Sequence, residues 1–327
     1  MGRERARMNA YKNLHAGQMF LIQESTEIAK PFLKWAGGKG QLTDKFTEFF
    51  PPELKSGKIK RYVEPFVGGG AVFFEIAQDY TIDEFFISDV NEELIMAYQT
   101  IKEDVEVLLE VLGDMERAFL RLDTEKRKNF FYKQRAILNT NLPKINFERF
   151  QSLWVERTAQ IIFLNRTCYN GLYRVNSKGE FNVPFGNYKN PRICDPDNLR
   201  AVSRLLQQTT IRHGDFTACE QIVDKRSFVY FDPPYRPLSR TARFTSYSRH
   251  EFNDSEQMRL ARFYRLLDSK GARLMLSNSD PKNEDSHDDF FEKLYAGFRI
   301  GRVMATRMIN CDATKRGPIA ELIITNY

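Results

Sequence analysis

The chain has 327 residues and carries 49 Lys and Arg against 43 Asp and Glu, a net charge of +6. That length sets a prior of about two domains with a sizeable core, and 42% hydrophobic with 28% charged residues excludes a disordered tail and a membrane-embedded class. Cys168, Cys194, Cys219 and Cys311 lie far apart with no C-x-x-C pair, which argues against a disulfide scaffold or zinc knuckle and for a reducing compartment. No apolar run approaches the ~18 residues of a membrane span and no signal-peptide core opens the chain, so a soluble, cytoplasmic protein with no membrane partner is expected.

The charge is uneven. Residues 111–190 hold 14 Lys and Arg against 7 Asp and Glu, so the rest of the chain nets −1. A solvated helical surface accounts for most such runs; a basic module set into a near-neutral one is the other reading, as a polyanion-binding domain requires.

In chain order, residues 1–30 open with Arg3, Arg5 and Arg7 and show no period, which predicts a flexible arm. Residues 61–66 (RYVEPF) form a β-rich run stopped by Gly68, Gly69 and Gly70; a helix is expected over 71–77, a strand over 84–88 and a helix over 91–102. Strand, glycine turn, helix, strand and acid make the front half of a Rossmann-like unit. Helical periodicity returns over 106–134 and 146–164, then stops. Residues 165–191, rich in Asn, Gly and aromatics, predict a β-hairpin or a loop with side chains on display. Strands are expected over 209–212 and 227–231, then a helix over 253–267 with Asn253 as N-cap and Glu256 three residues on. A strand around 274–276 and a terminal pair over 299–305 and 321–325 complete the reading, an α/β sheet interrupted by a basic helical and hairpin insert.

Two constellations carry chemistry. Glu64-Pro65-Phe66-Val67-Gly68-Gly69-Gly70 follows a strand and opens a helix, so its backbone can approach a ligand while the helix offers unpaired N–H groups. A tight structural turn accounts for the glycines equally well. Asp89, at the end of the next strand, has the spacing at which an acid meets a ribose hydroxyl, which points to an adenosine-containing ligand. No G-x-x-x-x-G-K-[ST] is present, which disfavours a P-loop ATPase. Asp232-Pro233-Pro234-Tyr235 ends an apolar strand, at the sheet edge where α/β proteins bind ligands. There Asp232 can accept a hydrogen bond from an amine, the Pro233 carbonyl a second, and Tyr235 offers a flat face for stacking.

These residues carry a resemblance. With the box Pro31-Phe32-Leu33-Lys34-Trp35-Ala36-Gly37-Gly38-Lys39, with Asn165–Tyr188 (NRTCYNGLYRVN, GEFNVPFGNY) and with CDATKRG at 311–317 in the same order, the chain resembles the Dam family of N6-adenine DNA methyltransferases from about Pro31 to Tyr327. The resemblance implies a seven-stranded, S-adenosylmethionine-dependent methyltransferase sheet (31–109 and 192–327) with an inserted helical and hairpin DNA-recognition domain (110–191). It implies S-adenosylmethionine as cofactor, double-stranded DNA as partner, GATC as the site and no metal; a monomer is compatible with it. A restriction-modification context, a solitary enzyme and a phage-borne one all fit.

By the same resemblance, Trp35, Ala36, Gly37, Lys39, Glu64, Phe66, Gly68, Asp89, Asp215, Phe216 and Asp232 line the cofactor site, and Asp232, Pro233, Pro234 and Tyr235 form the catalytic motif. Lys34, Arg166, Tyr169, Asn170, Leu172, Arg174, Pro184 and Tyr188 face DNA, with Arg174 suited to the O6 and N7 of a guanine. Asn187 departs from relatives with a basic residue there, which puts a phosphate contact at that position in doubt. Trp35, Phe66, Phe216 and Leu172 could instead be core residues, Asp215 a turn residue and Arg166 a buried ion-pair partner. Of Tyr169 and Tyr173, at most one inserts into DNA, and Tyr169 is favoured. The loop 236–248 could close over the target base or be an ordinary solvated loop. The rival functions are a methyltransferase acting on RNA or on cytosine N4, and a catalytically silent DNA-binding regulator on the same scaffold.

Overall fold

A computed structural model describes residues 27–35, 37, 39, 43–236, 252–306 and 318–327. Seven strands form one sheet: β1 Arg61–Glu64, β2 Glu84–Asp89, β3 Thr209–His213, β4 Ser227–Phe231, β5 Arg273–Ser279, β6 Arg299–Thr306 and β7 Pro318–Thr325. Their order is β3-β2-β1-β4-β5-β7-β6. The first five are parallel, and β7 lies antiparallel between β5 and β6. From β1 the chain builds outward to β2 and β3, then returns to place β4 on the other side of β1. Ligands bind at such a reversal, beyond the carboxyl ends of the strands.

Successive side chains of a strand point to opposite faces, and here both faces are covered. Tyr62, Phe228, Tyr230, Met275 and Ile323 pack in one layer; Val63, Val229, Phe231, Leu274, Leu276, Leu322 and Ile324 pack in the other. All five residues of β4 are buried, as a central parallel strand with helices on both sides requires.

The helices are α1 Thr43–Phe46, α2 Pro52–Lys55, α3 Ala71–Asp79, α4 Glu92–Leu120, α5 Thr124–Asn141, α6 Ser152–Thr167, α7 Pro196–Leu206, α8 Asp254–Ser269 and α9 Phe290–Leu294. Between β2 and β3 the chain runs through α4 to α7. The separate helical runs expected over 91–102 and 106–134 prove to be α4 and α5, divided differently. α4 passes through a kink at Asp104 (φ −150°, ψ 60°) and stops at Leu120. Asp123 then caps α5 by accepting the Lys126 N–H. The helix expected from 146 begins only at Ser152. Asn146 holds the preceding chain out of the helix, its side chain accepting the Glu148 N–H and its carbonyl the Trp154 Nε1–H.

The expected hairpin is reduced to two isolated antiparallel bridges, Cys168 to Phe185 and Val175 to Phe181. Side chains hold the rest. Asn139 of α5 bonds both the N–H and the carbonyl of Phe181, and Asn176 accepts from the Lys178 and Glu180 N–H groups. At the start of the described chain, Ala29 is bonded to Gln78 and Lys30 to Asn198. Most of the expected arm, part of the first box (Ala36 and Gly38), most of the 236–248 loop and the 311–317 motif lie outside the described residues.

Candidate active site

The glycine turn after β1 is shaped by close approach. Gly68 (φ 48°) and Gly70 (φ 74°) are left-handed, and a Cβ on Gly70 would lie 2.5 Å from the Tyr98 hydroxyl. The Asp89 carboxylate reaches across from β2, one oxygen accepting the Gly68 N–H at 3.1 Å and the other the Asn91 N–H at 3.0 Å. Tyr98 of α4 donates to the Gly68 carbonyl. Burial raises the Asp89 carboxyl above its ordinary value, against these hydrogen bonds. Glu64 is buried, accepts the Tyr62 hydroxyl at 2.7 Å, and is pushed well above the carboxylate range by desolvation. Trp35 packs its ring edge against Gly68, and Gly37 is left-handed and exposed.

Beside the turn, Phe66 and Phe216 lie 5.4 Å apart. Asp215 caps its own turn by accepting the Thr217 N–H. Arg259 of α8 donates to both Asp215 oxygens, at 2.9 and 2.6 Å, and its guanidinium covers the Phe216 ring at 4.1 Å. The Arg259 hydrogen bonds hold the Asp215 carboxyl down at about 2.

Asp232 follows β4 directly. Its Oδ1 lies 2.8 Å from the Lys39 ammonium and accepts the Ser277 hydroxyl at 2.8 Å, while its Oδ2 accepts no hydrogen bond among the described residues. Lys39 is 3% exposed and also donates to the Gly37 carbonyl and the Tyr235 hydroxyl. The Tyr235 hydroxyl in turn donates to Glu321 of β7 at 2.7 Å, and Glu321 lies 3.8 Å from Lys39. One ammonium thus stands between two carboxylates. The Pro234 carbonyl is taken by Gln257 at 3.2 Å; that of Pro233 has no partner among the described residues.

The candidate DNA-facing residues cluster after α6. Tyr169 is 57% exposed, whereas Tyr173 is buried and stacks on Trp35 at 5.1 Å. Asn170 (φ 57°) and Gly171 (φ 64°) turn the chain in left-handed conformations. The Gly171 backbone abuts Lys34, where a Cβ would fall 2.2 Å from its Cδ. Lys34 is exposed, with its ammonium 5.6 Å above the Tyr188 ring. Arg174 is exposed and its Nε is held by the Asn182 side chain at 2.8 Å. Pro184 is exposed and its carbonyl accepts the Tyr169 N–H. Leu172 is half-buried against the core, and Arg166 points back to the Phe32 carbonyl at 2.9 Å.

A family model described as D12 class N6 adenine-specific DNA methyltransferase matches residues 35–309. The chain belongs to that family. It is 55% identical over 299 residues to the Type II methyltransferase M.MjaIII of Methanocaldococcus jannaschii, covering 91% of this chain and 99% of that protein. It is 39% identical to the Type II methyltransferase M1.LlaDCHI of Lactococcus lactis subsp. cremoris (94% and 99%) and 34% identical to the DNA adenine methylase of Haemophilus influenzae (90% and 92%). The seven-stranded α/β sheet expected from the sequence is therefore the frame of a D12-class adenine methyltransferase.

Within this D12 enzyme the structure gathers Lys39, Asp232 and Tyr235, places Glu64, Phe66, Gly68 and Asp89 around the glycine turn, and sets Asp215 and Phe216 beside Phe66. Sequence reasoning missed Ser277, Glu321 and Arg259. A lone carboxylate opening the apolar run Glu321–Thr325 was a legible signal for Glu321; Ser277 and Arg259 sit in an ordinary strand and an ordinary amphipathic helix and gave none. The described residues include no cluster of His, Cys, Asp and Glu able to hold a metal ion, and no helix among them is long and apolar enough to cross a membrane.

Proposed function

We propose that the chain transfers a methyl group from S-adenosylmethionine to N6 of an adenine flipped out of duplex DNA, within GATC. The observation that carries this reading is the state of Asp232 and Pro233. At the carboxyl edge of the sheet, one carboxylate oxygen is held by Ser277 and Lys39 while the other, with the Pro233 carbonyl beside it in the chain, has no partner among the described residues. Two acceptors that no described residue donates to suit the two protons of an exocyclic amine.

The residues present fit the cofactor. The Asp89 carboxylate keeps lone pairs beyond its two backbone bonds, and Asp215 beside Phe66 and Phe216 offers an acceptor at the edge of aromatic faces. Asp89 would hold the ribose, and Phe66, Asp215 and Phe216 the adenine ring. S-Adenosylmethionine, when bound, supplies a methyl group activated on a sulfonium.

The target atom is out of reach inside a duplex, so the base must leave the stack at a cost of a few kcal/mol. Tyr235 offers its ring to the extruded base. Asp232 and the Pro233 carbonyl accept from N6 and turn its lone pair out of conjugation with the ring, and holding the reacting groups in line lowers the barrier further. Asp232 is placed to take the proton that N6 sheds as the new bond forms.

Residues 110–191, together with Lys34 of the first box, read the DNA. Lys34, Tyr169 and Arg174 present exposed side chains around the Asn170–Gly171 turn, with Asn170, Leu172, Pro184 and Tyr188 shaping it. Arg174 contacts a guanine, Tyr169 enters the helix, and Arg166, held by Phe32, supports the turn. The test is incubation with labelled cofactor and duplex DNA, RNA or cytosine-only substrates, followed by sequencing with modified positions identified. N6-methyladenine confined to GATC is the expected result; methyl transfer to RNA or to cytosine N4, or none at all, would overturn it.

A further inference from the structure

Accepting from an amine takes more than a carboxylate near it: the open oxygen must lie in the correct plane. We propose that Ser277 is a positioning residue that sets the plane of the Asp232 carboxylate, as the middle link of a hydrogen-bond relay from Tyr230 through Ser277 to Asp232. The inference rests on the methyl-transfer reading given above.

The sheet register builds the relay. β4 and β5 are parallel with Phe231 paired to Leu276, so Asp232 and Ser277 come next, side by side. The Ser277 hydroxyl lies 2.8 Å from Asp232 Oδ1 and 2.8 Å from the Tyr230 hydroxyl. Proton directions follow from the donor inventory. The Asp232 carboxylate, paired with an ammonium, is an acceptor only, so the single Ser277 proton goes to it, and Tyr230 must donate to Ser277. Burial pushes the Tyr230 hydroxyl well above its ordinary value, which keeps that proton in place.

Lys39 cannot do this alone. Its ammonium is a rotatable point charge shared among Asp232, Tyr235 and the Gly37 carbonyl. Ser277 is fully buried on a central strand, with no solvent to replace it. Its short side chain fixes the direction of approach to Oδ1, and with it the direction in which Oδ2 is offered.

The test is single-turnover methylation of a GATC duplex by the full chain, with melting temperature and the dissociation constants for DNA and cofactor measured alongside. Ser277→Ala should slow the chemical step by about tenfold to a hundredfold, the scale of one hydrogen bond to a charged group, with both dissociation constants unchanged. It should also lower the melting temperature, because the buried Tyr230 hydroxyl loses its acceptor. Adding Tyr230→Phe removes that orphan. The double variant should regain thermal stability while its rate stays at the Ser277→Ala level. Tyr230→Phe alone, which keeps the core intact, should show a smaller loss of rate. A wild-type rate in both single variants would overturn the proposal, as would a rate that recovers together with stability in the double variant. A wild-type chain that methylates nothing would instead overturn the function reading, and this is seen before any variant is compared.

Discussion

The Lys39 ammonium and the Asp232 carboxylate form a 2.8 Å ion pair in which the lysine side chain is only 4% exposed. An unpaired charge at that depth is costly, so the pair holds the first box and the catalytic motif together across nearly two hundred residues of sequence. Asp232→Ala removes the proposed acceptor for N6 and leaves Lys39 to Glu321 and Tyr235. Methyl transfer should fall by orders of magnitude while DNA affinity changes little, as read by single-turnover kinetics and a binding titration. Near-normal turnover would reject the assignment.

Asp89 serves two masters, the backbone of the glycine turn and the proposed ribose. Asp89→Ala should weaken cofactor binding by about tenfold to a hundredfold, the loss of a hydrogen bond to a charged group at roughly 1.5–3 kcal/mol, while DNA binding without cofactor persists. Calorimetry of cofactor binding checks it; unchanged affinity would leave Asp89 as a brace for Gly68 and Asn91 alone.

The Arg259 grip on Asp215 has a pH signature. The carboxyl sits at about 2 against an ordinary 3.8. A depressed carboxyl contributes stability that is fully present above the ordinary value and is lost as pH falls toward the folded one. Acid unfolding of the wild-type chain and of Arg259→Ala should therefore differ above about pH 4 and converge between 4 and 2. Parallel curves through that window would show that the pair does not couple to folding.

Gly70→Ala places a Cβ 2.5 Å from the Tyr98 hydroxyl at a left-handed φ of 74°. Urea denaturation should report a loss of about 1–3 kcal/mol, the usual cost of such strain. Tyr98→Phe in the same chain should recover part of it by removing the hydroxyl but not the backbone strain.

Arg174→Ala tests the reading of guanine. Loss of roughly 1–3 kcal/mol of discrimination at a single base pair is expected, measured by methylating every single-base variant of the site at two salt concentrations. A uniform loss across variants, with a salt slope smaller by about one, would make Arg174 a phosphate anchor.

Arg61–Glu64, before its glycines, and Ser227–Phe231, before Asp232 and Pro233, were legible because each is a short β-rich run with a stop signal behind it. What stayed hidden was non-local. The lone carboxylate in Pro318–Thr325 marks Glu321 as unusual, but nothing there says that the strand will slip between β5 and β6 and bring Glu321 beside Tyr235. The break between α4 and α5 hangs on one cap, Asp123, inside an otherwise continuous helical period. Family motifs named Lys39, Asp232 and Tyr235 individually, but their joint hydrogen bonding, and the part of Ser277 in it, depends on register between strands far apart in sequence.

Asn165, wholly buried at the end of α6, accepts the Lys34 N–H and donates to the carbonyls of Lys34 and Gly171. Together with the Trp35–Tyr173 stack, it leaves no hinge between the segment that borders the glycine turn and the segment proposed to read DNA. The two are not interchangeable modules. Grafting a foreign reading turn onto this frame would carry its misfit straight to Trp35 and Gly68, so a change of sequence preference here has to be reached through substitutions that leave the Asn165 joint intact.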